Sequence, residues 1–451
     1  MTTNSRPLRR ILGLGFGLAL AFGTTIGVGI LRLPGLVAEH IGDRTLIMGF
    51  WALGGLYALL GAMAVAELAA MLPQTGGFRV YARRAYGDGV GFAIGWCDWL
   101  QNVSALAYVS ITAVAFLGTL WPPAALYPRA IAIAILAVFT AIHWVGLRLG
   151  STVTSIISLS IALMMMTLVV CCFVIAPAAG APTAPLANTV ASLPLFSMAM
   201  VFALVPALRA ILTAYDGWYS PIYMAEENTN PAQTLPRAII GGTLIIAALY
   251  LLINFAFLRV LPLPVLAASE LPATEVARIL FPSGGAELVT IISIVTMLSL
   301  ANNILLSSPR ILYAIGRDGL FAQKAAVVSE GGTPRIALAM TSLVMVVVML
   351  SGTFEQVIAL YAVLFLLCYT SAFIAVFVLR KREPDLSRPF RVWGHPFTTG
   401  IVLLGSVAFL IAAAAEDPRS AIIAAILVGT CFPAYLWLER QRRARVLATE
   451  S

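Results

Sequence analysis

The chain has 451 residues, 60% of them hydrophobic and only 11% charged, with a mean hydropathy of +0.95. A water-soluble domain of that composition could not cover itself with polar surface, so its solvent is the lipid bilayer. The formal net charge of +8 is not a nucleic-acid footprint, because the basic residues follow membrane topology.

Spanning the hydrocarbon layer takes roughly 20 residues of helix. Twelve apolar stretches of that kind follow one another at 11–38, 45–72, 89–120, 128–147, 152–176, 193–227, 236–260, 285–315, 336–353, 355–380, 397–415 and 419–438. With the N-terminus on the cytoplasmic side, 21 of the 28 Lys and Arg fall inside. Outside or within the membrane remain Arg32, Arg44, Arg129, Arg209, Arg259, Arg278 and Arg419. The positive-inside rule therefore predicts a multi-pass protein of the cell membrane with both termini cytoplasmic. The first stretch is too long for a cleaved signal peptide, and the whole chain, 1–451, reads as one transmembrane domain. The longest connections are expected near 178–192 and 261–284. All five cysteines lie within predicted helices, without zinc-ligand spacing, and read as small apolar side chains.

The first stretch carries Gly23-Thr24-Thr25-Ile26-Gly27-Val28-Gly29-Ile30, and the sixth carries Thr213-Ala214-Tyr215-Asp216-Gly217-Trp218-Tyr219-Ser220-Pro221. Both are poor continuous helix, and lipid offers no partner to backbone groups freed by a break. Matched interruptions in corresponding halves of a chain point to the substrate site of a secondary transporter. Segments 1–5 and 6–10 each hold an odd number of helices, so they enter the membrane from opposite sides as inverted repeats, with segments 11 and 12 outside them. The half-helix after a break presents amide N–H groups suited to a carboxylate. The half-helix before it ends in free carbonyls suited to an ammonium or a sodium ion. A Gly-x-x-x-Gly-x-Gly run is equally a close-packing face, whereas Asp216 within the membrane is a functional candidate by default. It either tunes the amine site, carries a proton, or caps the second half-helix.

Other polar residues leave alternatives open. Arg209 lies about two turns before Asp216 and either lines the outer vestibule or snorkels to the interface. Arg32 with Glu355 forms an outer gate, or each is a solvated interfacial charge. Glu226 and Glu227 form an inner gate with basic residues such as Arg79 or Arg317, or a surface ion-pair network; Glu67 and Asp318 carry the same ambiguity. Asp98, between Trp96 and Trp99, is expected near the inner interface. Asn302 and Asn303 serve a ligand or bridge helices, and His143 reads as a packed polar residue.

The first motif resembles the first-helix signature of the amino acid–polyamine–organocation superfamily. Tyr215-Asp216-Gly217-Trp218, Glu226-Glu227, Asn230-Pro231 and Leu235-Pro236-Arg237-Ala238-Ile239 are similar to the sixth-helix region of its L-type amino-acid transporter branch. Ala66-Glu67-Leu68, Met71-Leu72-Pro73 and Gly76-Gly77 match the end of the second helix; Arg310, Tyr313-Ala314 and Gly316-Arg317-Asp318-Gly319 match that of the eighth. The resemblance implies an all-α membrane protein of twelve helices, a five-plus-five inverted repeat with discontinuous helices 1 and 6. It also implies that an amino acid's carboxylate meets backbone around Gly27, Val28 and Gly29. Its amine would meet carbonyls near Thr25 and Ile26 and in Thr213–Asp216. The substrate-binding set is thus Thr25, Ile26, Gly27, Val28, Gly29, Thr213, Ala214, Tyr215, Asp216, Gly217 and Trp218.

Two departures from the family pattern stand out. Relatives often place a gating aromatic where this chain has Thr213, which leaves a wider pocket or a gate at Tyr215 or Trp218. Many also carry a lysine on the fifth helix, yet the only lysines are Lys324 and Lys381, and Ser155–Ile161 is neutral. A titrating fifth-helix lysine is therefore excluded; sodium coupling, another proton carrier and uncoupled exchange stay open. The expected function is a secondary active amino-acid transporter of the cytoplasmic membrane working by alternating access. The alternatives are a transporter of polyamines or other organic amines and a non-transporting amino-acid sensor. No phosphate-binding loop, His-Glu-x-x-His or Gly-x-Ser-x-Gly is present, which speaks against an enzyme. No resident cofactor, metal or nucleic-acid partner is expected; small-molecule substrate and membrane lipid are the expected contacts, and a partner protein is left unassigned.

Overall fold

A computed structural model describes residues 7–27, 29–175, 190, 198–351 and 354–450, and among them every regular element is helical. The first span is two half-helices, α1 (Leu14–Thr25) and α2 (Gly29–Ile41), bent by 47° at the glycine-rich motif. Then come α3 (Arg44–Met71), the short α4 (Phe78–Tyr86), α5 (Asp88–Leu120), α6 (Pro128–Val145) and α7 (Leu147–Val174). The sixth span is α8 (Met198–Ala214), a turn, and a 3-10 segment Ser220–Glu227. The chain continues through α9 (Pro231–Val260), α10 (Leu263–Ala268), α11 (Pro272–Leu280), α12 (Gly285–Ser307) and α13 (Pro309–Arg317). It closes with α14 (Arg335–Ser351), α15 (Phe354–Arg382), α16 (Phe397–Glu416) and α17 (Pro418–Glu450).

Local chemistry sets these boundaries. Proline opens α6, α9, α11, α13 and α17, where its missing N–H has no intrahelical role and its fixed φ suits the first turn. Asp43 caps α3 by accepting the Leu46 N–H at 2.9 Å. In α7 the lipid face runs through Ile156, Leu159, Leu163, Met166 and Val170, all exposed, while Ser158, Ile161, Met165, Leu168 and Cys172 turn inward. That is the amphipathic stripe of a helix with one face in lipid.

Among the described residues, nine helices are long and apolar enough to cross a membrane, or ten with the bent α1–α2 pair. Ala203–Ala214 and Arg335–Leu350 are shorter apolar helices at the expected sixth and ninth positions. The expected connection 261–284 is not a loop but holds α10 and α11. Buried Pro272, Ala273, Val276, Ala277 and Leu280 recur at helical spacing and pack α11 against α12 and α2. The other expected connection, 178–192, lies outside the described residues apart from Val190.

Equivalent members of the two predicted sets touch one another. α2 packs on α8 and α1 on the 3-10 segment, so spans 1 and 6 run antiparallel. α3 packs on α9, α5 on α12 and α6 on α14, matching spans 2 with 7, 3 with 8 and 4 with 9. These pairings are those of two inverted units around a central axis, and they put both breaks at the middle of the bundle.

The described ends of the chain share one face, the terminal face. Leu12 N–H donates to Glu227 O at 2.9 Å, Glu226 pairs with Arg317, and Arg442 lies over Gly319. Ion pairs cluster here: Arg79 and Arg83 with Asp318, Arg83 with Asp88, Arg84 with Glu383, and Glu67 with Arg380 and Arg388. Burial pulls the Arg79 guanidinium below its usual range and Asp318 pulls it back. Arg310 and Glu227, both fully buried, pair at 3.1 Å. Removing one partner of such a pair strands the other charge and costs about 3–5 kcal/mol. Glu227→Ala and Arg310→Ala are each expected to lower the thermal unfolding temperature in detergent, with the double variant well short of additive. An additive double variant would mean the two groups are not coupled.

Candidate functional site

The site begins with the contact between the two breaks. Gly217 has φ of +116°, and a Cβ there would sit 2.5 Å from the Thr24 carbonyl oxygen. Only glycine meets both demands. The Thr24 hydroxyl lies 3.1 Å from the Gly217 carbonyl and 2.8 Å from the Ser220 hydroxyl, itself 2.6 Å from that carbonyl. Tyr250 of α9, fully buried, shares its hydroxyl proton between the carbonyls of Ala214 at 2.9 Å and Thr25 at 3.2 Å. One tyrosine thus satisfies the carbonyls ending both first half-helices.

A cavity of about 530 Å³ opens beside this contact. Thr24, Thr25, Gly27 and Gly29 of the first span and Thr213, Ala214, Asp216, Gly217 and Ser220 of the sixth line one side. Gln101, Asn102 and Tyr108 of α5 and Tyr361 of α15 line the other, with Met297, Leu300 and Ile304 of α12. Its rim carries Arg32, Glu39 and Ala267–Glu270, the end of α10 and the start of its connection to α11, opposite the terminal face. Toward the terminal face it ends on Tyr219 and Tyr223, behind which lie Phe78 and the ion pairs. Because α2 starts at Gly29, its first-turn N–H groups have no intrahelical acceptor and face an anion-favouring end of the helix.

Asp216 does not cap the second half-helix, whose N-cap residue Tyr219 makes no side-chain cap bond. Its carboxylate instead accepts the hydroxyls of Tyr361 and Tyr369, the latter at 2.5 Å. It stands between the first cavity and a second, more apolar one of about 650 Å³, and both share Leu33, Leu36, Thr213 and Tyr361. Thr213, where relatives often place an aromatic, borders both cavities.

The remaining predicted residues fall as follows. Ile26 is fully buried and faces away from the cavity, and Val28 lies outside the described residues. Tyr215 donates to Trp51 O at 3.1 Å, and Trp218 stacks on Tyr369 at 5.5 Å; both border the second cavity rather than gating the first. Arg32 is on the rim, Arg209 borders the second cavity, and the side chain of Glu355 is outside the described residues. Glu226 accepts from Arg317 at 2.9 Å and from the Thr75 N–H at 3.1 Å, and Glu227 pairs with Arg310 rather than with Arg79. The neutral fifth-span stretch meets the first break at Ser158, which donates to Ala19 O at 2.8 Å and lies beside Gly23 with Ser299 and Asn303. His143 is buried against Asn302 O, and Asp98 is fully buried in the bundle.

Residues missed in the sequence are Gln101, Asn102, Tyr108, Tyr219, Tyr223, Tyr250, Tyr361 and Tyr369. Their signal was spacing: Asp98, Gln101, Asn102 and Tyr108 share one face of an apolar helix, and Tyr361, Phe365, Tyr369 and Phe373 recur every four residues.

The sequence profile of the amino acid permease family matches residues 17–432. The chain belongs to that family. It is an amino acid transporter and not an enzyme. It is 28% identical over 448 residues to the serine/threonine exchanger SteT of Bacillus subtilis, covering 98% of this chain and 100% of the relative. The b(0,+)-type amino acid transporter 1 of Mus musculus is 26% identical over 422 residues, covering 91% of this chain and 84% of the relative. The branched-chain amino acid permease BcaP of Bacillus subtilis is 25% identical, covering 89% and 88% respectively.

Adding a methyl group at Gly217 forces a forbidden φ and pushes the breaks apart, at about 1–3 kcal/mol of strain. Gly217→Ala is expected to weaken amino-acid binding roughly 5- to 150-fold. Gly49→Ala, where a Cβ meets nothing within 4 Å, should leave it unchanged. Radioligand binding to purified protein checks both.

Proposed function

We propose that the chain is a secondary transporter that carries a zwitterionic amino acid across the cell membrane by alternating access. The terminal face is then cytoplasmic. The observation that carries this reading is the cavity at the paired breaks, open away from the terminal face and closed toward it by aromatic side chains and ion pairs.

In this reading the carboxylate docks on the N–H groups around Gly27, Val28 and Gly29. The ammonium lies against the carbonyl edge of Thr25, Ile26 and Thr213–Asp216. Those carbonyls already hold bonds: Ala214 and Thr25 with Tyr250, and Thr213 with the Asp216 N–H at 3.3 Å. A carbonyl oxygen has two lone pairs, so the amine takes the second one on an edge Tyr250 has already fixed in place. The side chain extends toward Asn102, Tyr108 and Tyr361. The Lys/Arg-rich terminal face supports the cytoplasmic assignment through the positive-inside rule. The names of the relatives, one a serine/threonine exchanger and one a branched-chain permease, support small neutral amino acids as the class to try first.

The deciding experiment is uptake of a radiolabelled panel of amino acids into liposomes holding purified protein, half of them preloaded with unlabelled amino acids. Uptake confined to loaded vesicles means obligatory exchange. Equal uptake into empty vesicles means uniport or symport. Uptake in neither overturns the amino-acid reading and turns attention to organic amines.

A further inference from the structure

Asp98 is fully buried on α5, a helix long and apolar enough to cross a membrane, and no Arg, Lys or His pairs with it among the described residues. Four neutral donors hold its carboxylate instead. Tyr223 donates to Oδ1 at 2.5 Å, Gln101 Nε2 at 2.8 Å and Asn102 Nδ2 at 3.4 Å, while the Phe78 N–H donates to Oδ2 at 3.2 Å. The titratable groups facing it are Tyr81 of α4, Tyr223 of the 3-10 segment, Cys368 of α15 and neighbouring Cys97 of α5. None supplies a positive charge, and Arg79 of α4 is engaged by Asp318. An uncompensated charge at this depth is expensive, and such an acid ordinarily marks a proton or substrate pathway.

Two features separate this acid from a structural one. First, three of its four donors, Tyr223, Gln101 and Asn102, also line the cavity. A proton from cavity water can therefore reach Oδ1 through the Tyr223 hydroxyl, which passes on its own proton and takes another. Second, the cluster already contains an acceptor for the protonated form. Gln101 Oε1 is buried without a hydrogen-bond partner, so turning the amide over lets it accept the acid's O–H in place of the Nε2 donation, while the neutral acid holds the Tyr223 and Phe78 donors more weakly than the carboxylate does. The site can hold either protonation state, with a different bond pattern in each.

The position of the cluster gives that difference a consequence. Asp98 joins α4 through Phe78 N, α5 through its own helix and the 3-10 segment through Tyr223. Those elements form the floor between the cavity and the terminal face. Gly77, at φ +68°, lets the α4 N-terminus close on the carboxylate, since a Cβ there would collide with Tyr223 and Asp98. Resting on the reading of the chain as an amino-acid transporter, we infer that Asp98 is a proton-binding site that couples transport to protons. The carboxylate form ties the floor shut. Protonation from the cavity loosens the Phe78 and Tyr223 ties and favours opening to the terminal face, where the proton is released to water. Proton and amino acid therefore move in the same direction.

The test uses full-length protein in empty liposomes with a gradient of about one pH unit, alkaline inside, against no gradient. Labelled amino acid and a lumenal pH dye are read together, and exchange into loaded, pH-matched vesicles is run in parallel. One coupled proton supports up to about tenfold accumulation under that gradient, together with lumenal acidification that requires the amino acid. In Asp98→Asn the ratio of uptake with and without the gradient should fall to one and the linked acidification vanish. The ratio is taken within each preparation, so a slower variant is still informative. If Asp98→Asn gives no exchange at all, Asp98→Glu decides, by a shifted pH of half-maximal uptake; an unchanged midpoint overturns the assignment. A wild-type ratio of one with exchange intact overturns proton coupling and leaves amino-acid transport standing. A large ratio retained in Asp98→Asn overturns the role of Asp98. Absence of both uptake and exchange in wild type sinks the transport reading instead.

Discussion

Everything in this bundle is arranged around two stretches of unwound backbone pressed against each other at membrane depth. Backbone groups cannot be left to lipid, and here the breaks are resolved mutually. Gly217 seats on the Thr24 carbonyl, Ser220 and Thr24 bridge them, and Tyr250 reaches from α9 to the last carbonyls of both preceding half-helices. Close approach of the chains, rather than any charged side chain, makes the site. It also explains why the contact lies where the two inverted units meet: each unit contributes one break, and neither is satisfied alone.

The two ends of the cavity are built from different materials. Away from the terminal face the rim is short helices and a few solvated charges. Toward it stand successive layers, first Tyr219 and Tyr223 with Phe78, then the Asp98 cluster, then Glu227–Arg310, Glu226–Arg317 and Asp318 with Arg79 and Arg83. In the proposed alternating cycle this is the state closed toward the terminal face, and the hydrogen bonds and ion pairs of these layers are the contacts that would separate in the other.

Much of this architecture was legible from the residues. Of the twelve spans expected from hydropathy, nine or ten are helices long and apolar enough to cross among the described residues, and two runs of glycine and polar residues located the breaks, because a break explains Gly217 next to Asp216 in an apolar helix. The short helices α10 and α11 were not legible as such, since pieces of six and nine residues lie below the length at which periodicity stands out. The site was half legible. Backbone contributions follow from the motif, whereas Tyr108, Tyr250 and Tyr361 come from other helices: spacing groups the first and last on helix faces, but no single segment reveals that those faces meet the breaks. Tyr215 and Trp218 misled for the same reason: being in the motif says a residue is near the break, not which way its ring turns. The burial of Asp98 was not legible, since its flanking tryptophans read as interfacial rings, whereas Trp99 bonds to Thr341 in the bundle interior and Trp96 packs on Trp99 and Phe321.

The charge layers lie at one mouth only. Separating Glu226 from Arg317 and Asp318 from its arginines is a problem of ion pairing in a half-wet crevice, which dissolved salt screens. The other mouth is open and carries Arg32, Glu39 and the end of α10 at its rim. The composition of the bath on the terminal side therefore bears directly on the contacts that hold that side shut.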